Sequence, residues 1–270
     1  MTMNRISVLV LCLLATGALG EEVTLPGTVM TEAEQRNLTP PRRREAELST
    51  RYDLLDNNYD DQQTLRLDLV SSRPGHTTYY GSLVREQRFG LADHAVELGA
   101  AYPLTSRWSV FTEAGVSLAP DFLADAFAEA GAERRFGLGF GLRAGYRRSF
   151  YDDTWVDRLA ITADRYWGPL RGAYTLNMTW LETADLALGH AVSLTRYYGE
   201  RNYWGGRASL GEEKELDASR QVLATSTGSL GLFGRHWYRP QWALGWDLDF
   251  SRQGDFYNRF GIRLGIRHAF

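Results

Sequence analysis

The sequence has one cysteine, few prolines and, after its first residues, no long apolar segment. The cysteine is Cys12, so the rest of the chain has no disulfide and no thiol chemistry. After residue 20 no run approaches the roughly 20 apolar residues that a membrane-spanning helix needs, and the mean hydropathy is −0.34. These absences exclude a helical membrane protein.

The chain also lacks an excess of charge of either sign. Thirty Lys and Arg residues stand against 33 Asp and Glu residues, which gives a formal net charge of −3. Because nucleic-acid binding normally needs a basic surplus, we expect no nucleic acid partner. Aromatic residues and glycine are abundant instead, with 8 Trp, 14 Tyr and 27 Gly against 8 Pro. This composition favours many adjacent β-strands over helices.

The first 20 residues have the pattern of a secretory signal. Arg5 precedes an apolar run at 6–14, and Ala18 and Gly20 supply the small residues of a cleavage site. The run is too short for an uncleaved anchor, and Leu11 before Cys12 argues against a lipoprotein signal. We therefore predict a signal peptide at 1–20.

A polar, proline-containing stretch follows and predicts a periplasmic tail or linker at 21–48. It ends in Pro41 and three arginines, Arg42, Arg43 and Arg44. These arginines could contact anionic lipid head groups or a partner, but solvated linker charge is the favoured interpretation. The remaining residues, 49–270, are predicted to form one β-barrel domain.

Alternation with a period of two residues dominates the chain from residue 49 onward. At the C-terminus, Phe260, Ile262, Leu264 and Ile266 share one parity with Phe270, whereas arginines and glycines occupy the other. Such a strand has one apolar and one basic face. A soluble sandwich or a soluble periplasmic barrel would also alternate. However, the prolines lie in or beside predicted turns and the tryptophans gather at segment ends, as in the aromatic girdles of a membrane barrel.

We predict an all-β, transmembrane, antiparallel, up-and-down barrel in the outer membrane, with short periplasmic turns and longer outer loops. The segments near 126–136 and 203–214 are the weakest, and losing one hairpin would leave twelve strands instead of fourteen. The predicted strands lie near 49–55, 63–72, 77–89, 94–103, 108–118, 126–136, 138–150, 155–167, 171–182, 188–199, 203–214, 221–237, 241–252 and 257–270.

Several short motifs resemble the YaiO-type outer-membrane β-barrel family from Arg51 to Phe270. They are Tyr52-Asp53 with an acidic loop to Asp61, Arg88-Phe89-Gly90-Leu91-Ala92-Asp93, Glu97-Leu98, Ala101-Tyr102-Pro103, Gly145-Tyr146-Arg147-Arg148, Thr195-Arg196-Tyr197-Tyr198-Gly199 and Asn202-Tyr203. The resemblance implies a membrane partner, the outer-membrane lipid, and insertion by the barrel-assembly machinery, with Phe270 as the terminal signal. His268 departs from the tyrosine that is common there. The resemblance supplies no biochemical role.

Catalytic and metal-binding patterns are weak. His190 and Ser193 share a predicted strand but point to opposite faces, so a lipase-like pair fails on geometry. The acidic residues Asp53, Asp56, Asp60 and Asp61 are better explained as a solvated loop than as a Ca²⁺ site. We therefore expect no enzyme activity, no catalytic residue, no metal and no cofactor.

The most distinctive feature of the sequence is the set of charged residues at alternate strand positions, opposite to the apolar set. These charged residues are predicted to line the lumen. One interpretation is ion pairs that fill a narrow barrel, and the other is a charged pore or export conduit for a polar solute or polymer, whose identity the sequence does not reveal. A non-conducting structural or surface-interaction barrel and, further off, a lipid-modifying enzyme are the alternatives. The predicted lumen residues are Arg66, Asp68, Glu97, Glu113, Arg143, Arg147, Asp247, Asp249, Arg259, Arg263 and Arg267.

Overall fold

The computed structural model describes residues 42–152, 154–181, 186–216 and 222–270, with the side chains of 213–216 and 222–224 left aside. These residues form fourteen antiparallel strands that close into one barrel. The strands are β1 Arg43–Leu55, β2 Gln62–Ser72, β3 Thr78–Arg88, β4 Leu91–Pro103, β5 Trp108–Leu118, β6 Ala126–Arg135, β7 Phe140–Tyr151, β8 Thr154–Trp167, β9 Leu170–Leu181, β10 Ala187–Tyr198, β11 Asn202–Leu216, β12 Val222–Arg239, β13 Trp242–Gln253 and β14 Tyr257–Ala269.

Each strand pairs with its neighbours in sequence, and β1 closes the barrel against β14. The closing register runs from Glu45 opposite Ala269 to Leu55 opposite Arg259. A closed sheet has no edge, so every strand can satisfy its backbone N–H and C=O groups within the barrel. Among the described residues, no helix has the length and apolar character to cross a membrane.

The predicted fourteen-strand antiparallel barrel is confirmed, and the twelve-strand alternative is wrong. Both weakly predicted segments are regular strands, β6 and β11. The start of the barrel needs correction, because β1 begins at Arg43 and not at Ser49. Charged residues on the inward parity of β1, Glu45 and Glu47, resemble linker sequence when no partner is known. The signal peptide and most of the predicted tail lie outside the described residues.

The connections between strands are short at both ends of the barrel, and the longest described ones lie at the end opposite the start of β1, which is the end predicted to be outside. At the end where β1 begins, the connections include 73–77 and 104–107. At the opposite end they include 56–61, 89–90 and 119–125. No connection at the first end is longer than 73–77, whereas 56–61 and 119–125 at the opposite end are both longer, as predicted for outer loops. The outer connection 89–90 is nevertheless a tight two-residue turn in which Phe89 and Gly90 both have positive φ.

The outward face is apolar in its middle and aromatic at its ends. In β14, Phe260, Ile262, Leu264 and Ile266 are all exposed on the surface that meets lipid. Trp108, Trp167, Trp204 and Trp242 mark one rim, and Trp155 and Trp180 lie towards the other. Trp237 does not belong to an outward girdle, because it is paired with the buried Ala243 on the inward parity; Arg43 and Arg201 lie over its ring.

Replacing one outward apolar residue by arginine tests which residues of β14 face the lipid. Leu264 is 48% exposed near the middle of β14, so Leu264→Arg should cost about 2–4 kcal/mol or block insertion. Arg263→Gln is the matched control, since Arg263 faces the interior and its partner Glu47 also contacts Arg235 and Arg267. Heat-modifiable gel mobility of membrane fractions gives the yield of folded barrel. Equal yields from the two variants would contradict the register.

Candidate functional site

The interior wall carries most of the charged residues of the described strands, and two of its regions differ in packing. The first region lies where β1 closes against β14, and we term it the seam cluster. The second lies on β2 to β8, and we term it the open sector. The seam cluster comprises Glu45, Glu47, Arg51, Asp53, Arg207, Arg235, Asp247, Asp249, Arg259, Arg263 and Arg267. The open sector comprises Arg66, Asp68, Tyr80, Glu97, Phe111, Glu113, Phe127, Glu129, Arg143, Arg147 and Arg158.

Glu47 is the central carboxylate of the seam cluster. Its side chain is 1% exposed and accepts hydrogen bonds from Arg263 Nη2 at 2.5 Å and Arg267 Nε at 2.6 Å. Arg235 Nη2 lies 3.4 Å from the same carboxylate, and Arg267 also reaches Glu45 at 2.8 Å. A buried carboxylate is tolerated only with such partners, because leaving water is costly for an unpaired charge.

Further along the seam, arginines and aspartates alternate in a continuous network. Arg51 Nη2 donates to Asp53 and to Asp249, each at 2.6 Å. Arg207 forms a bidentate pair with Asp247, with both N–O distances at 2.7 Å. Arg259 Nε lies 3.8 Å from Asp53. The network links β1, β11, β13 and β14 through side chains, in addition to the backbone pairing.

Glycines on the inward parity of β14 make room for this network. A Cβ atom on Gly261 would collide with the Arg51 guanidinium and with the Asp53 carboxylate. One on Gly265 would lie 2.6 Å from Glu47 Oε1. The alternation of arginine with glycine in β14 therefore reflects the limited width between facing side chains.

Side chains of the open sector retain contact with water although they face inward. Arg66, Arg147 and Arg158 have side chains that are 31%, 28% and 29% exposed. Arg66 is nevertheless held firmly, because it donates to Asp68 and to Glu97 at 2.7 Å. Space for water thus lies beside this part of the wall, in contrast to the surroundings of Glu47.

Aromatic rings of the open sector pack against glycine backbone, and arginine guanidinium groups lie over the rings. Phe111 covers Gly131 and Gly145, and a Cβ atom on either glycine would overlap its ring. The Arg143 guanidinium lies 3.9 Å from the centre of the Phe111 ring. Phe127 covers Gly115 in the same way, with the Arg147 guanidinium 3.4 Å from its ring centre. These cation–π contacts fix both guanidinium groups against the wall.

One row of paired positions crosses the open sector and changes sign midway. Glu113 is paired with Glu129, Glu129 with Arg147, and Arg147 with Arg158. Two carboxylates and two guanidinium groups therefore stand side by side on neighbouring strands. Like charges directly opposite each other destabilise a sheet, so this row is electrostatically costly in comparison with the seam cluster.

The structure places all the predicted lumen residues on the inward parity, but it separates them. Arg259, Arg263, Arg267, Asp247 and Asp249 belong to the seam cluster, and the others belong to the open sector. Sequence analysis missed the seam partners Glu45, Glu47, Arg51, Arg207 and Arg235. The period-two placement of Glu45, Glu47, Ser49 and Arg51 was the available signal, and the proline-rich context concealed it.

The acidic residues predicted to form one solvated loop do not stay together. Asp53 lies in β1, is 3% exposed and belongs to the seam cluster, which corrects its assignment to the loop. Asp56 lies in the β1–β2 connection, where the backbone N–H and side-chain amide of Asn258 donate to it at 2.7 Å and lower its pKa. Within the described parts of the chain, no group of His, Cys, Asp and Glu residues is arranged to hold a metal ion.

Comparison with known proteins agrees with this geometry. The family described as YaiO membrane beta barrel domain matches residues 43–216. No curated protein matches the chain. Among solved structures, the CymD monoaromatic hydrocarbon channel is 10% identical with a TM-score of 0.55, over 89% of this chain and 92% of that one. Omp33 of Acinetobacter baumannii is 12% identical with a TM-score of 0.51, over 83% and 98% of the respective chains. At these identities the likeness shows the fold.

Removing the charge of Glu47 tests the structural role of the seam cluster. Glu47→Gln should destabilise the barrel by about 3–5 kcal/mol, because three buried guanidinium groups lose a carboxylate partner. Urea unfolding of the purified barrel, followed by tryptophan fluorescence, measures the change. Glu200→Gln, in the exposed β10–β11 turn, is the control. Similar unfolding midpoints for the two variants would show that the cluster does not stabilise the fold.

Proposed function

The chain belongs to the family of YaiO membrane β-barrel domains, and we propose that this outer-membrane barrel is a pore for small polar solutes. The passage runs through the lumen beside the open sector. The seam cluster acts as a packed wall, so only part of the cross-section conducts. The other predicted route, export of a polymer, would need the same passage.

The exposure of inward-facing arginines carries this proposal. Arg66, Arg147 and Arg158 remain nearly one-third exposed inside a closed barrel, whereas Glu47 at the seam is 1% exposed. Exposure at an inward position requires space for water beside the side chain. A barrel filled entirely by ion pairs would bury the open sector as deeply as the seam.

The wall formed by β8 to β10 supports the same interpretation, because several of its inward side chains are small, although Asp164 and Arg171 form an ion pair on this wall near the end where β1 begins. Ala160 in β8, Ala173 in β9, and Ala191 and Ser193 in β10 all face inward. None of these side chains can reach far into the lumen. A fourteen-strand barrel has more interior than short side chains can fill, which leaves room for a passage along this wall.

A non-conducting structural barrel is the second candidate, and the seam cluster favours it. Ion pairs that extend across the five strands of the seam cluster serve stability in that case, without a role in transport. A lipid-modifying enzyme has less support. His190 faces outward, where Tyr174 Oη lies 2.7 Å from its Nδ1, and Ser193 has the opposite parity. This histidine and serine therefore cannot act together on one substrate.

Insertion through the barrel-assembly machinery is part of the proposal. The side chain of Phe270 remains exposed at the end of β14, and its backbone N–H donates to the Arg44 carbonyl at 2.9 Å. An exposed terminal aromatic residue beside the closing strand is available to an assembly partner before β1 and β14 pair.

Narrowing the passage tests the pore directly. Ala191→Trp places a large ring in the lumen without removing an ion pair, so single-channel conductance in planar bilayers should fall by about half or more. Val192→Trp is the matched control, since Val192 is exposed on the outward face of the same strand. Absence of stable conductance from the correctly folded parent barrel would contradict the pore and favour the structural barrel.

A further inference from the structure

We infer that Arg143, Arg147 and Arg158 form an anion-binding site in the lumen that takes carboxylate or phosphate groups of small organic anions. The inference rests on the proposed pore, because it gives that pore a class of solute. It also separates the lumen arginines by role, since the arginines of the seam cluster are already engaged by carboxylates.

The first observation is that carboxylates hold these three arginines less closely than they hold lumen arginines such as Arg66 and Arg207. Glu129 is the shared partner of two of them, with its Oε2 3.4 Å from Arg158 and 3.9 Å from Arg147. Arg143 is paired with Glu133 on the neighbouring strand, but Glu133 forms its ion pair with Arg135, and the Arg143 guanidinium lies on the Phe111 ring. Arg66 and Arg207 show what a satisfied lumen arginine looks like, with carboxylate contacts at 2.7 Å.

The second observation is the direct pairing of Arg147 with Arg158 on neighbouring strands. Two cations at opposed positions repel each other, and the carboxylate that contacts both of them, Glu129, carries one negative charge against their two positive charges. An anion between them would gain charge-assisted hydrogen bonds from both. A bound anion would therefore relieve more charge repulsion here than it would in the seam cluster, where carboxylates already contact the arginines.

The third observation is the preorganisation of the guanidinium groups. Phe111 and Phe127 hold the flat faces of Arg143 and Arg147 against rings that rest on glycine backbone. Stacking occupies the face of a guanidinium group and leaves its N–H edges available. These edges match the planar fork of a carboxylate and the oxygens of a phosphate group.

The spacing of the arginines indicates solutes with more than one acidic group. Arg143 and Arg147 are four residues apart in β7, about 13 Å of extended strand, and Arg158 lies beside Arg147. Glu113 is paired with Glu129 on the side away from these arginines and repels anions there, so an acidic solute should follow the basic edge. A polycarboxylate can occupy two of the arginines at once.

Citrate serves as the probe, and current block in planar bilayers is the measurement. We expect citrate to reduce the chloride current of the parent protein, and Arg147→Gln with Arg158→Gln to raise the half-blocking concentration at least about tenfold. Arg165→Gln is the matched control, because Arg165 lies in the same strand as Arg158 but stacks outward on Phe140. If the double variant does not fold, Arg143→Gln replaces it and should raise the half-blocking concentration several-fold.

A second readout separates failure of this site from failure of the pore. Citrate should raise the unfolding temperature of the detergent-solubilised parent protein, and the rise should be lost in the arginine variant but kept in Arg165→Gln. Citrate stabilisation without conductance would overturn the pore and retain the site. Conductance with equal citrate block in parent, arginine variant and Arg165→Gln would overturn the site and retain the pore.

Discussion

Closure of β1 against β14 is the constraint on which the rest of this molecule depends. In the hydrocarbon region each backbone polar group must find a partner within the protein, and only a closed sheet provides one for every strand. The seam cluster lies across this junction. Glu47 of β1 contacts Arg263 and Arg267 of β14, so side chains reinforce the same contact that the backbone makes. Glu47, one of the two most deeply buried carboxylates among the described residues, therefore lies where an open edge would otherwise be exposed.

The limited width of a barrel sorts its inward charges into two kinds. Where opposite signs meet on neighbouring strands, as Arg207 does with Asp247, carboxylates and guanidinium groups pack tightly and glycines provide the space. Where like signs meet, as Arg147 does with Arg158, aromatic rings take over part of the partner's role and water retains access. The first arrangement stabilises the fold, and the second leaves chemistry available for a solute.

Much of the fold could be predicted from sequence because lipid and lumen impose opposite demands on alternate residues. The lipid-facing residues of β13 and β14 can therefore be identified from the sequence alone. The beginning of β1 was missed because its outward residues, Arg44 and Ala46, give little apolar signal. The partners of the lumen charges were also beyond the sequence: Glu47 and Arg263 are 216 residues apart, and only the closed topology brings them together. Arg143 and Arg147 were predicted to face the lumen, but their stacking on aromatic rings was not. That stacking depends on glycines in register with the ring on neighbouring strands, as Gly131 and Gly145 are with Phe111, and alternation does not reveal such a register.

Water access at chosen inward positions tests the central claim, a packed seam beside a water-filled passage, most directly. The only cysteine, Cys12, lies within the predicted signal, so single cysteines can be introduced elsewhere with little background. Labelling of the folded barrel with a charged, membrane-impermeant thiol reagent should modify Ala160→Cys rapidly. Ser49→Cys at the seam, where Ser49 is 4% exposed, and Ile161→Cys on the lipid face should react at least about tenfold more slowly. Equal rates at Ala160→Cys and Ser49→Cys, or an unreactive Ala160→Cys, would contradict the account.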